Sequence, residues 1–397
     1  MFDSISIGMS GLQTFSKGLK VISNNVANLN TPGFKSSNID FAALYYQGGE
    51  GGGFSTDVNS GQTGTGVTAL TTFINFKDGD VRQTGNSLDV SIDGQGFLIT
   101  KDSTDDGYTY TRAGQFEFDK DGNLVSRATG RQVMGLSADG KLDVISLTGL
   151  RISQPKASTS VKFSGNLSSS ATNFTLDSLK LVDGVGGAHV VKLLFKPKTG
   201  EAGTWTVTVV DGTVETPAGE LQFLAGTPVS GKDKLNFKFA PAGVPAFDIA
   251  LDFSQQVTSF STGTTSTLAV SSLDGQVAGT VTQVDFDSSG QLTLKYSNGA
   301  SAVGPSLALA TFESTAHLGQ LGASEFSAQG LTPTKLARAG TETVGKIVSK
   351  QIEGSNVDLS AEFSDLIVMQ RGYQASSRIV STANEMLQDL FDMKGHR

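Results

Sequence analysis

Residues 23–35 read "SNNVANLNTPGFK". The stretch leaves a helical pattern and runs into Asn30-Thr31-Pro32-Gly33, where proline removes a backbone donor and disfavours helix at the residue before it. Upstream, Ile5, Gly8, Leu12, Phe15, Leu19, Ile22, Val26 and Leu29 alternate spacings of three and four. Two interleaved seven-residue series of this kind are the seam of a coiled-coil helix. The sequence therefore predicts a helix up to residue 30, with Ser4 as its N-cap.

A matching element closes the chain. Leu359, Phe363, Leu366, Gln370, Tyr373, Ser377, Val380, Asn384, Leu387 and Phe391 keep the same alternation, and Ile367, Ile379 and Leu390 widen the stripe. Ser355-Asn356-Val357-Asp358 reads as a capping box ahead of it. Neither helix buries its stripe alone, and no third helical pattern is present to close a bundle over both. Apolar faces wider than one partner covers must find other molecules, so self-association follows.

Between the ends the period falls from 3.5 to 2. Leu88, Val90 and Ile92 alternate up to an Asp93-Gly94 turn, with Phe97 and Ile99 beyond it. Later sets are Trp205, Val207 and Val209; Leu235, Phe237 and Phe239; and Phe247, Ile249, Leu251 and Phe253. Each is bounded by Gly, Pro, Asp or Asn and reads as a half-buried antiparallel strand. "QFEFDKDGNL" (115–124) and "QVDFDSSGQL" (283–292) share Q-x-x-F-D-x-x-G-x-L, two hairpins on either side of a Ser/Thr/Val-rich middle. The economical arrangement is nested. The expected fold is mainly β with α-helical termini: residues 1–30 and 355–397 form a helical pair, 71–145 and 281–354 an inner antiparallel β domain, and 146–280 an inserted outer β domain. Residues 31–70, with "QGGEGGGF" at 47–54, are expected to be a Gly-rich connector.

Composition narrows the function. The 397 residues carry 30 Lys+Arg against 38 Asp+Glu, a net charge of −8, without the basic surplus of a nucleic-acid binder. No apolar run reaches the roughly 20 residues of a membrane span, and the N-terminus lacks the basic start of a secretory signal. There is no cysteine, which excludes disulfides and thiol chemistry. Glycine reaches 48 residues, well above the roughly 7% of an average chain. Histidines 189, 317 and 396 have no recognisable catalytic or metal-binding partners. "DKDGN" (119–123) opens like an EF-hand loop, but Gly130 occupies the twelfth position, where a bidentate Glu is required. "DGQGFL" reads as a hairpin turn, since no helix follows to cradle a phosphate. No catalytic, cofactor or metal site is expected, and no enzyme activity.

The end motifs resemble those of the rod and hook axial proteins of the bacterial flagellum. "SNNVANLNTPGFK" is similar to that family's N-terminal signature, and "EGSNVDLSAEFSDLIVMQRGYQASSRIVSTANEMLQDL" (353–390) to its C-terminal one. "DVSIDGQGFL" (89–98) and "YTRAGQFEFDKDGNLV" (110–125) resemble its first β domain. Asn384 stands where an acidic residue is commoner. The resemblance implies that the terminal helices pair and pack into the inner tube of a helical homopolymer. Asn24, Asn25, Asn28, Thr31, Pro32, Gly33, Phe34, Gln370 and Arg371 would be its motif residues. It further implies a hook-type subunit of a curved hollow joint transmitting torque, exported unfolded through the flagellar secretion apparatus. Rod proteins, hook–filament junction proteins and a hook cap would be its partners. A distal rod protein is the nearest alternative, disfavoured by the 146–280 insertion; a β-rich extracellular adhesin would leave the terminal helices unexplained.

Overall fold

The computed structural model describes residues 2–47, 63–105, 107–137, 139–341 and 344–395. The chain is mostly β-strand between two terminal helices, α1 (Phe2–Ala27) and α2 (Leu359–Gly395), which pack on one another. It divides into two compact units. One comprises residues 1–148, 284–293 and 303–397, and the other residues 149–283 and 294–302. The helices and the inner β-strands share a unit, whereas the sequence pattern separates them.

In the first unit, Phe97–Lys101 pairs with Tyr108–Thr111, Gln132–Leu136 and the return strand Ser301–Thr311. Leu309 lies opposite Leu98, so residues from both ends of the chain build one sheet. Its core gathers Phe97, Ile99, Tyr110, Met134, Ala308 and Phe326. Edge-on aromatic contacts reinforce it, Tyr110 on Phe312 at 4.8 Å and Phe76 on Phe326 at 5.1 Å. The strands on either side of Asp93-Gly94 do not form the expected hairpin. Val90–Asp93 pairs instead with Lys346–Ser349. Alternation identifies a strand but not its partner.

The repeated Q-x-x-F-D-x-x-G-x-L segments are built alike. Asp119 and Asp287 open their turns, with Gly122 N–H donating to the Asp119 carbonyl (3.1 Å) and Gly290 N–H to that of Asp287 (2.9 Å). Each carboxylate accepts the backbone N–H four residues on, Asn123 at 2.8 Å and Gln291 at 2.9 Å. Those donors hold the Asp119 carboxyl below its ordinary range. The glycines supply positive φ, 90° and 69°.

Part of the expected connector is regular. Ser37–Ala43 and Val67–Ile74 form an antiparallel ribbon, Ser37 opposite Ile74 and Ala43 opposite Val67. Thr14 of α1 donates to the Val67 carbonyl, and Phe15 packs at 6.1 Å from Phe41. The run "GGEGGGF" at 48–54 lies outside the described residues.

The core of the second unit is built from two sheets. One runs Lys234–Phe239, Phe247–Thr258, Ser160–Asn166, Ala269–Leu273; the other Phe174–Val182, Ala188–Pro197, Thr204–Asp211, Val214–Leu224, Thr227–Pro228. The inward residues are those the alternation picks out, with Trp205, Val207, Phe237, Ile249 and Phe253 all buried. Phe163 stacks on Phe253 at 4.4 Å. One pair departs from the antiparallel expectation, since Ser160–Asn166 runs parallel to Phe247–Thr258. The long intervening segment allows that crossover.

Trp205 is the sole tryptophan and reports on this core alone. Phe253→Ala should cost about 3–5 kcal/mol, seen as an earlier tryptophan-fluorescence transition in denaturant. The helical circular dichroism should remain in place at that first transition; simultaneous loss of both signals would contradict separate cores.

Candidate functional site

The two helices meet through small residues. On α1 the buried face is Gly8, Gly11, Thr14, Gly18, Ile22 and Asn25. An added Cβ at Gly11 would lie 2.5 Å from Ser376 Oγ, at Gly18 2.9 Å from Met369 Sδ, and at Gly8 2.7 Å from Val380 Cγ2. On α2, Gly372 gives room to the Phe15 ring, which comes within 2.5 Å of its would-be Cβ. Glycines on both sides let the backbones approach closely, at the cost of helix propensity.

This seam is rotated from the sequence stripe. Ile22 is buried, while Ile5, Leu12, Phe15, Leu19, Val26 and Leu29 are only half-buried. Leu366, Val380 and Leu387 are half-buried, Val380 against Gly8 of α1, whereas Leu359, Phe363, Tyr373 and Phe391 stay exposed, Phe363 at 50% and Phe391 at 72%. Ile367, Val368, Ile379 and Leu390 are exposed too. Pairing within the chain thus covers one flank of α2 and leaves others bare. Gln370 and Arg371 are exposed.

The helix ends are tied down by polar groups. α1 stops at Ala27, ahead of the predicted residue 30, and begins at Phe2, so Ser4 is not its cap. Asn28 donates to the Asn24 carbonyl (2.9 Å) and accepts from Thr31 Oγ1 (3.0 Å), which turns the chain toward Pro32. Gly33 has φ +67°, and a Cβ there would meet Ala113 N at 2.4 Å. Phe34 is buried behind it. α2 is capped by Asp358, whose carboxylate accepts from Ser360 N–H (2.9 Å) and Ala361 N–H (3.2 Å). The cap therefore sits three residues later than Ser355, because the Ser355–Val357 segment is used elsewhere. Asn356 accepts from Ser36 N–H at 2.7 Å and donates to the Asn75 carbonyl at 2.7 Å.

Asn25 joins both helices to the ribbon. Its amide donates to the Ser37 carbonyl and to Glu362 Oε1, both at 2.8 Å, and its oxygen accepts from Ser37 N–H at 3.0 Å. Burial raises the Glu362 carboxyl above its ordinary value, Asp365 and Asp358 add to the rise, and the Asn25 hydrogen bond opposes it.

Beneath lies a buried ionic latch. Lys35 (0% exposed) contacts Glu353 (2%) at 2.5 Å and donates to the Lys77 carbonyl at 2.7 Å. Arg112 reaches the other Glu353 oxygen at 3.2 Å, Asp78 at 3.3 Å and the Gly94 carbonyl at 2.9 Å. Burial lowers the Lys35 pKa, an effect Glu353 opposes. Gly33 N–H donates to the Glu353 carbonyl at 2.9 Å. Lys35 after α1 and Arg112 from the inner sheet therefore converge on the carboxylate of Glu353, just before α2. Sequence reasoning missed Lys35, Arg112, Glu353, Asn356 and Glu362, although all five lie inside the signature stretches quoted above. For Lys35, Arg112 and Glu353 a lone charge within two residues of a glycine was the only signal.

A pair of terminal helices latched to a β body defines a class of β-rich protein with helical ends. The family described as "Flagella basal body rod protein" matches residues 5–35, "Flagellar hook protein FlgE/F/G D1 domain" residues 91–169, and "Flagellar basal body rod FlgEFG protein C-terminal" residues 348–393. The flagellar hook protein FlgE of Escherichia coli K12 is 30% identical, over 98% of this chain and all of its own. That of Rhizobium meliloti is 29% identical over 99% of each chain, and that of Borreliella burgdorferi 27% identical over 99% of this chain. The crystal structure of Helicobacter pylori FlgE2 covers 68% of this chain at 13% identity and a TM-score of 0.44. The chain belongs to the flagellar hook protein family.

Lys35→Met should destabilise the chain by up to about 3–5 kcal/mol, by removing one of the two cations that face the buried Glu353, read by chemical denaturation. Glu353→Leu should cost more than Lys35→Met, because it strands both Lys35 and Arg112; a Glu353→Leu variant milder than Lys35→Met would remove the latch from the account. Gly372→Leu should overpack the seam and destabilise the chain by about 1–3 kcal/mol.

The raised Glu362 pKa sets a pH dependence. The folded chain keeps this proton where the unfolded chain has lost it, so the contribution is full below the ordinary value of 4.5 and fades as pH rises through the folded value. Glu362→Gln should flatten that slope in denaturation across mildly acidic pH.

Proposed function

We propose that this chain is the structural subunit of a bacterial flagellar hook, polymerising into a curved hollow tube that joins the rotary motor to the filament. The observation that carries the reading is the apolar surface left on α2 after α1 has packed against it. Phe363, Ile367, Ile379, Leu390 and Phe391 are too many, and too widely spread round the helix, for one partner helix. Copies stacked about a common axis would cover them.

In this reading the protein does mechanical work without chemistry. Bending of a rotating tube brings subunits on the inner side together and separates those on the outer side. Lightly charged, nondirectional contacts between β bodies slide at lower cost than ion-paired ones, and only 17% of the residues are charged. The latch around Glu353 would hold each helix pair firmly on its body, so that strain goes into contacts between subunits. Export through the flagellar secretion apparatus, and contacts with rod, junction and cap proteins, are part of the same proposal. Agreement along nearly the whole length of hook proteins favours a hook over a distal rod subunit.

Electron microscopy of the purified chain under assembly conditions tests this directly, and bent tubes are the expected outcome. Phe363→Asp and Phe391→Asp should leave thermal unfolding of the single chain nearly unchanged, because both side chains are solvent-exposed there. Tube formation should be abolished, since a charge buried at an apolar contact costs several kcal/mol. Tubes of normal length from either variant would refute this assignment of the assembly face.

A further inference from the structure

Methionine is distributed very unevenly in this chain. Of six, five (Met1, Met9, Met369, Met386 and Met393) lie in the terminal segments and only Met134 in the β region. Their surroundings differ just as sharply. Met134 is 4% exposed inside the inner β core, and Met369 is half-buried with its sulfur against Gly18. Met9, Met386 and Met393 are 59%, 50% and 74% exposed. Met9 also lines a shallow groove of about 720 Å³ along α1, with Ile5, Leu12 and Tyr373. Met386 is one helical turn from Leu390, which is itself exposed.

A thioether is a soft nucleophile whose rate of oxidation follows its access to solvent. Its sulfoxide is a polar, strongly accepting group that apolar neighbours cannot satisfy. These three sulfurs sit on faces that are open in the single chain and that the assembly reading buries. We propose that Met9, Met386 and Met393 are sites of sulfoxidation by hydroperoxides, and that this modification holds the free subunit out of the polymer. The inference rests on the assembly function proposed above. In each step a sulfur lone pair attacks one peroxide oxygen, the S–O bond forms and the O–O bond breaks. The departing hydroxide, or the alkoxide of an alkyl hydroperoxide, takes the proton of the transferred oxygen and leaves as water or an alcohol. Sulfur is oxidised by two electrons and the peroxide is reduced by two. Once assembled, the same thioethers are shielded, so the modification acts on the unassembled subunit and spares the tube.

The test uses the full-length chain, hydrogen peroxide and peptide mass spectrometry, with the critical concentration for polymerisation measured by sedimentation. Met9, Met386 and Met393 should oxidise first and Met134 last. Circular dichroism should stay unchanged while the critical concentration rises about tenfold or more, which is roughly what 1.4 kcal/mol per subunit corresponds to. The triple variant Met9→Leu, Met386→Leu, Met393→Leu should polymerise as the parent does and keep that ability after peroxide. Preformed tubes should take up oxygen at these sites more slowly than free subunits. Oxidised parent that polymerises at an unchanged concentration would overturn the proposal, as would a triple variant that peroxide inhibits equally. Untreated parent that forms no polymer would overturn the assembly reading and this inference together, so the two failures are distinguishable.

Discussion

Glu353 is a single buried carboxylate shared between two cations that arrive from different parts of the chain, Lys35 from the exit of α1 and Arg112 from the inner sheet. Its own residue lies just before α2, and its carbonyl takes the Gly33 N–H. Burying three charged groups is costly unless each has a partner in good geometry. The arrangement therefore tolerates one placement of the helices on the β body and penalises others. Two helices whose mutual contact is largely glycine, serine and methionine would otherwise have little to define their position.

That division explains why the helix seam is built from small residues. A seam of large apolar side chains would have consumed the apolar surface of both helices within one molecule. Instead Gly8, Gly11, Gly18 and Gly372 bring the backbones together, and Phe363, Ile367, Leu390 and Phe391 remain at the surface. Attachment of the helices to their own β body is polar and specific, whereas the surface that they leave exposed is apolar.

Much of this was legible beforehand. Both helices, the strand sets of the second unit and the two Asp-to-Gly turns follow from residue spacing, because periodicity reports which side of an element is buried. Strand pairing and the helix seam were less legible. The partner of Val90–Asp93 lies near the other end of the chain, and the Ser160–Asn166 strand runs parallel to its neighbour. The buried face of α1 runs through Gly8, Gly11 and Gly18 beside the large-residue stripe, because close helix packing selects for small side chains that hydrophobicity does not flag.

The amino-acid order by itself determined that two amphipathic helices flank a β-rich body, and that their stripes exceed what one pair buries. Local periodicity and turn chemistry are enough for that, since each acts within a few residues. Only the tertiary structure decided that Lys35, Arg112 and Glu353 form one ionic cluster, that Asn25 spans to Glu362, and which flank of α2 stays bare. Those facts depend on groups separated by hundreds of residues meeting in a low-dielectric interior, where a charge is tolerable only beside its complement.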